Sequence, residues 1–361
     1  MARARHPPST GKPRKHAQSR YRATRSRYSS LLPFRLSAHA TPQERDRASP
    51  YPRNWSGTFG RWLLLLLIVL GSLAPVQAGQ RILVVTSAET PAQTEAVDAL
   101  QARLREGERG RAVEIRPWDQ TSADQTGVAD IVVTVGTPAA RTVASHANPA
   151  PVLHILLSAH NYASLPARAN GRQSAIVLDQ PPSRLIALVQ LALPTLQRIA
   201  LIGGSQSEEI VPPLARAASD ARLGVAQASI TRENELFGAL QSVLSEPAVL
   251  IATPDPTVFN RFTVQNILLT AFRHRSPVLG FSAAYAKAGA LLSLYSTPAQ
   301  IGADAAQVVE SVLRGGNLPT VSGPRSFEVQ TNPTVARSLG IELPPAETLA
   351  ARLRSLEEAT P

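Results

Sequence analysis

PVLGFSAAYAKAGALLSLYSTPAQIG, residues 277–302, is the stretch on which the reading of this chain turns. A short apolar run, PVLGFS, ends in a loop, a second run, ALLSLYS, follows almost at once, and Thr297-Pro298 then stops that strand and opens a helix. Thr before Pro suits this job, because the hydroxyl can cap free amides while Pro tolerates the first helical turn. Two strands in quick succession, followed by a helix with its own apolar face, mark a place where a chain can leave one lobe and enter another.

Upstream, the pattern is a repeat of short apolar runs and amphipathic ones, which argues for α/β architecture with mostly parallel sheets. RILVVTS (81–87) reads as the first strand, and Thr90-Pro91 starts a helix in which Val97, Leu100 and Leu104 share a face. VEIRPW, DIVVTVG, VLHILLS and AIVLD follow as strands, carrying one lobe to about residue 178. The series then restarts. PSRLIALVQLAL, EEIVPPLARAASDARLG, ENELFGALQSVL and TVQNILLTAFRH read as helices between the strands RIALIGGS, VAQASI, AVLIATPD and PVLGFS. Two series of similar length imply two similar lobes. The helix opened at Pro298 places Ile301, Ala305, Val308 and Val312 on one face and ends at Gly315-Gly316.

The charge sits mainly at one end. Residues 1–61 hold 14 Lys or Arg against Glu44 and Asp46, and the remainder holds 23 basic against 24 acidic residues. The high overall basicity therefore belongs to a tail, and a nucleic-acid footprint, which must lie on the folded domain, is not expected. The tail is rich in Arg, Ser and Pro and has the composition of a disordered segment. It reads as an over-long start more readily than as a DNA- or membrane-binding arm. Next comes WLLLLLIVLGSLAPVQA, residues 62–78, an uncharged run broken by Gly71 and Pro75 and closed by Val76-Gln77-Ala78. It is too short and too broken for a membrane span and reads as a secretory signal cleaved near Ala78, which places the mature protein in the periplasm. The chain has no cysteine, so disulfides, thiolate metal sites, cysteine catalysis and a lipid-attachment cysteine are all excluded.

The order strand, loop, strand, then a P-x-x-I-G helix start at Pro298, Ile301 and Gly302 resembles the late segment of the type I periplasmic binding proteins. The run Ala286–Leu291 and the N-P-x-x-A-x-x-L-G-I pattern at 332–341 are similar to the substrate-binding proteins of ABC transporters whose described members bind aromatic amino acids. The resemblance spans about residues 80–345. It implies two Rossmann-like lobes with parallel sheets joined by a multi-strand hinge: residues 79–178 with 297–316 in lobe one, residues 179–296 with 317–361 in lobe two. It also implies a non-enzymatic receptor for a small solute, acting as a monomer with an inner-membrane ABC permease or a membrane sensor and needing no cofactor. A periplasmic sensory or assembly module of the same fold, without a transport role, is the alternative.

An enzymatic reading finds no constellation of groups to carry it. Gly280-Phe281-Ser282-Ala283-Ala284 follows a strand and nearly spells a nucleophile elbow, yet the last His is His274, ahead of Ser282, whereas such hydrolases place theirs after it. Leu201-Ile202-Gly203-Gly204-Ser205 lacks the dinucleotide spacing, and Glu208 and Glu209 in the expected first helical turn would repel a phosphate. His146, His154, His160 and His274 form no metal-ligand spacing, and His154, in mid-strand, reads as a core residue.

What remains is polar chemistry at the carboxyl ends of the strands, the edge where open α/β sheets bind ligands. Ser87, Thr137, Ser158, His160, Asp255 and Ser282 stand there, with Tyr285 as a candidate wall beside Tyr162, Phe259 and Tyr295, and Ser296 after the next strand. Thr137 is expected to cap a helix whose free amides would accept a ligand carboxylate, and Asp255 to meet a ligand ammonium. Sugar receptors of the resembling group carry an Asp at the position matching Ser282 and a Gln at that of Ser296, so a sugar is disfavoured. The amino-acid receptors carry an Asp soon after the position of Ser158, where this chain reads Ser-Ala-His-Asn.

Overall fold

The computed structural model describes residues 79–107, 111–147, 150–167 and 172–359. The basic tail and the signal segment lie outside the described residues.

The first sheet begins with β1 (Arg81–Thr86), followed by α1 (Pro91–Glu106), β2 (Ala112–Pro117), α2 (Ala123–Gly127) and β3 (Ile131–Val135). Then come α3 (Thr137–Ser145), β4 (Val152–Ile155), α4 (Ala159–Ala163) and β5 (Gln173–Ile176). All five strands are parallel, in the order β2-β1-β3-β4-β5. Central β3 is buried at every position and is made of Ile, Val and Thr, because helices cover both of its faces and leave no reason for alternation. His154 of β4 lies fully inside this sheet, its Nδ1 2.7 Å from Thr134 Oγ1, as its mid-strand position implies.

The second sheet is fed by α5 (Pro182–Ala192), β6 (Arg198–Gly203), α6 (Val211–Asp220), β7 (Gly224–Ser229) and α7 (Leu236–Val243). It continues with β8 (Val249–Ile251), α8 (Val264–Arg273), β9 (Val278–Gly280), α9 (Ala283–Ala288) and β10 (Leu292–Tyr295). Its order, β11-β10-β9-β8-β6-β7, repeats that of the first sheet, with one strand added at the edge. That strand is β11 (Glu328–Thr331), antiparallel to β10. The stretch between β9 and β10, expected as a loop, contains the short helix α9, because Tyr285 and Ala286 are buried there and Gly289 ends the helix at φ 122°. Helix α6 starts later than expected, at Val211, so the exposed Glu208 and Glu209 lie in the turn before it rather than in its first turn.

After β10 the chain crosses into α10 (Pro298–Leu313), capped by Thr297 in a reciprocal box with Gln300. This helix lies against α1 of the first lobe, so closely that a Cβ on Gly302 would stand 2.1 Å from the Ala96 carbonyl oxygen. Only glycine allows that approach. Ser322 then bridges to Ile176 beside the first sheet, so the return crossing falls after Ser322, further along the chain than residue 316. The chain ends in the second lobe with α11 (Pro333–Leu339) and α12 (Ala346–Ala359), the latter packing Leu349, Ala350 and Leu353 into that lobe's core.

Candidate functional site

In each sheet the strand order reverses at one point, between β1 and β3 in the first lobe and between β6 and β8 in the second. Neighbouring connections there run to opposite faces and leave a crevice at the strand ends, where open α/β folds take their ligands.

At the first of these points, Gly136 precedes α3 at φ 90°, and a Cβ there would lie 2.8 Å from Ser87 Oγ. Ser87, one residue past β1, accepts a 2.9 Å hydrogen bond from the Ala139 N–H in the first turn of α3. The cap therefore comes from another strand. Thr137 is the first helical residue, half-buried, and does not cap the helix, which corrects the expectation for its hydroxyl. The capping residue at this helix is Ser87, and the backbone turn at Gly136 explains why: an N-cap glycine has no side chain to offer.

Asp255 is corrected more sharply. It has no exposed surface. Its Oδ2 accepts bonds from Ser207 Oγ at 2.6 Å, the Gln206 N–H at 2.9 Å and the Gly204 N–H at 3.1 Å, and its Oδ1 accepts one from the Thr257 N–H at 2.8 Å. Burial alone would raise its pKa, but the bonds from Ser207, Gln206 and Thr257 outweigh it and hold the carboxyl below its ordinary value. Asp255 ties the β6 turn to the β8 turn and, with no exposed surface, is out of reach of a solute in the cleft.

Two further expectations change role. Tyr285 is 7% exposed and packs on Phe281, ring centroids 4.7 Å apart, within the second lobe's core, so it is not a free wall of the cleft. Burial pushes its hydroxyl pKa upward. Ser296 accepts a bond from Gln180 Nε2 at 2.9 Å and donates one to the Ser326 carbonyl at 2.5 Å. These three residues lie on the three chain crossings between the lobes, so Ser296 is a hinge residue. Asp304 of α10 completes the tie by accepting from the Arg325 and Ser326 N–H groups at 2.8 and 3.1 Å and from Ser326 Oγ at 3.0 Å. Buried Arg184 joins the crossings to the last helix, donating to Gln180 Oε1 and the Pro324 carbonyl, each at 2.8 Å, and pairing with Glu357.

Ser158, His160 and Ser282 stay at the strand ends. Ser158 caps α4 by accepting from the Asn161 N–H at 3.2 Å, and His160, half-buried, sits in that helix. Ser282 precedes α9 without capping it. Beside Ser158 stands Asp179, which the sequence reading passed over. Its Oδ2 accepts a 2.6 Å bond from the Ala159 N–H, while Oδ1 is covered and accepts no bond from another residue. The signal was present, since Asp179 closes the AIVLD run at the same edge.

Backbone strain points to this corner too. Leu156, Arg222 and Arg275 are the non-glycine residues with positive φ among those described. Arg222 and Arg275 follow helices and close ordinary helix ends, with the next residue bonding back to Ala218 and Ala271. Leu156, at φ 54°, follows a strand and leads into Ser158. Strained residues of this kind collect where a fold holds a site.

A hollow of about 690 Å³ lies elsewhere, alongside the hinge between α10 and α12, and is lined by Gln300, Asp304, Arg325, Phe327 and Arg354 among others. None of the strand-end residues lines it. Among the described residues, no cluster of three or more His, Cys, Asp or Glu could hold a metal ion, and no helix is long and apolar enough to cross a membrane.

The sequence model of the ABC transporter substrate binding protein family matches residues 124–352, more than half of the chain, and the chain belongs to that family. Such proteins bind small solutes and work with ABC permeases. A ligand-free, open substrate binding protein with adhesive properties from Clostridium difficile aligns with a TM-score of 0.57 at 18% identity, covering 74% of this chain and 97% of its own. A domain from Streptococcus pneumonia in complex with L-Trp aligns at 0.50 and 18%, covering 76% and 98%. A conserved domain protein from Vibrio cholerae aligns at 0.50 and 19%, with the same coverage. At these identities the likeness establishes the two-lobed periplasmic-binding-protein fold. No curated relative matches the chain.

Proposed function

We propose that this protein is an exported, monomeric, non-enzymatic receptor that takes up a small solute between the strand-end edges of its two lobes and presents it, closed, to an ABC permease. The observation that carries this reading is the hinge: three crossings joined through Gln180, Ser296 and Ser326, with polar strand ends on either side of them. Contacts to both lobes would favour a closed arrangement over an open one by the difference in solute affinity between the two. Ser158 and His160 from lobe one and Ser282 from lobe two are its proposed contacts, with Ser87 and Thr137 at the β1/β3 crevice.

The pneumococcal neighbour's complex with L-Trp puts aromatic amino acids first in a ligand screen. Small-angle scattering of the protein with a solute shown to bind by calorimetry is expected to give a smaller radius of gyration than without it. An unchanged radius would mean that the cleft does not close on its solute, and would favour a sensory or assembly module over a transport receptor. Amino-terminal sequencing of exported protein is expected to begin near Gly79; a start within the Arg-rich tail would overturn cleavage after Ala78.

A further inference from the structure

We propose that Asp179 is the cation-recognising group of the cleft, and that the solute this receptor selects carries an ammonium that seats against the Oδ1 oxygen, to which no other residue donates. The proposal rests on the receptor reading above and names the chemistry of its ligand.

Position is the first argument. Asp179 follows β5 at the strand-end edge of lobe one, where the Leu178 N–H bonds the Leu157 carbonyl at 2.9 Å and the Ala159 N–H fixes Oδ2 at 2.6 Å. The next residue, Gln180, is already part of the hinge through Ser296. A group held by Asp179 therefore sits between the polar turn at Ser158 and the crossings that must rotate when the lobes close.

The fold surrounds its buried carboxylates with donors. Asp255 receives four hydrogen bonds across its two oxygens, and Asp304 receives three. Asp179 is half-buried as a residue, but its Oδ1 is covered and receives no hydrogen bond from any other residue. A buried carboxylate oxygen without a donor is costly, and proteins retain such groups where they have work to do. Consistent with that cost, burial pushes the Asp179 carboxyl above its ordinary pKa even though the Ala159 N–H and its own N–H pull the other way.

The chemistry of the missing partner follows. It must donate a hydrogen bond and offset a negative charge where water does not reach. A hydroxyl satisfies the first condition alone, and a carboxylate or phosphate satisfies neither. An ammonium satisfies both, with three donors to divide among Oδ1 and the neighbouring oxygens. Asp179 thus takes the role that the sequence assigned to Asp255, and it does so from the other lobe.

The test uses the protein without its tail and signal segment, as wild type and as Asp179→Asn, with defined probes: L-tryptophan, L-tyrosine, L-lysine and spermidine as ammonium probes, indole-3-propionate as the deaminated counterpart of tryptophan, and D-ribose and myo-inositol as neutral ones. Thermal melting is followed by calorimetric titration of any probe that shifts it. Without a probe at pH 7, Asp179→Asn is expected to melt at or above the wild type, because an unpaired charge has been removed. At least one ammonium probe should raise the melting temperature of the wild type. Asp179→Asn should bind that probe at least about tenfold more weakly, the loss expected of one charge-assisted bond.

A clearly lower melting temperature of unliganded Asp179→Asn would show that the carboxylate is structural and would overturn the proposal. So would wild-type affinity of that variant for an ammonium probe. If ribose, inositol or indole-3-propionate binds and no ammonium probe does, the proposal fails and the receptor reading stands. If no probe of any class shifts the wild type, the receptor reading falls and the proposal with it.

Discussion

The two crevices where strand order reverses are built on the same plan and finished in opposite ways. In lobe two the turn after β8 supplies Asp255, which reaches across to the turn after β6 and fills its own valences with the N–H groups and hydroxyl waiting there. In lobe one the turn after β1 supplies Ser87, which reaches across to α3 and satisfies a single N–H, with the Gln93 side chain lying beside it against Gly136. A carboxylate surrounded by donors becomes a staple, and a hydroxyl with one partner remains part of a surface. The carboxylate at the strand ends of lobe one, Asp179, lies not in its crevice but beyond β5, beside the turn after β4.

The largest expected effect is at the staple. Asp255→Ala removes the acceptor of the Gln206 and Thr257 N–H groups and of the buried Ser207 hydroxyl and leaves the Gly204 N–H with Ser207 Oγ alone, and chemical denaturation is expected to show a loss of at least about 3 kcal/mol. A loss under about 1 kcal/mol would mean that the turns reseal without the carboxylate and that the contrast between the lobes is shallower than the geometry suggests.

The same contrast should appear in pH dependence, with opposite signs. The Asp255 carboxyl is held below its ordinary value, so its contribution to stability is present above about pH 4, the unfolded value, and is lost as pH falls through the folded one. The Asp179 carboxyl is raised, so the folded protein takes up this proton first. Stability through this group rises as pH falls from its raised folded value toward about 4. Melting curves between pH 7 and pH 4 are expected to show Asp179→Asn losing its advantage over the wild type as pH drops. An advantage that grows on acidification would contradict the unpaired carboxylate.

Smaller effects sharpen the lobe-one side. Ser87→Ala removes the cap of α3 and should cost about 1 kcal/mol. Thr137→Ala should leave stability within about 0.5 kcal/mol of the wild type, the range usual for substitutions away from caps and core. Reversed magnitudes would restore Thr137 as the cap and show that the Ser87 bond is incidental.

How much of this was legible beforehand depends on the kind of residue. The strands were legible because β3 and its neighbours are runs of β-branched residues, and that composition reflects burial on both faces. The caps at Thr90 and Thr297 were legible because a helix start is a contact between residues three apart. The cap of α3 was not, since its donor and acceptor stand 52 positions apart, and a Thr-Pro pair that would cap a helix elsewhere is displaced here by the glycine before it. Helix α9 was also missed, because a six-residue helix whose face is Tyr285 and Ala286 has too few turns to display a period.

By itself, then, the sequence determined the alternation of elements, the doubled series, the change of lobe at Thr297-Pro298 and the edge of each sheet where polar residues gather, since these rest on local periodicity and short-range caps. Which of the edge residues are free was decided only by the tertiary structure. Whether a strand-end aspartate serves a solute or a staple depends on how many N–H groups converge on it from turns about 50 residues away. Asp255 met three donors from the β6 turn, beside the Thr257 N–H of its own turn, because the β6 turn folds toward it, while the Ser158 turn offers Asp179 a single amide.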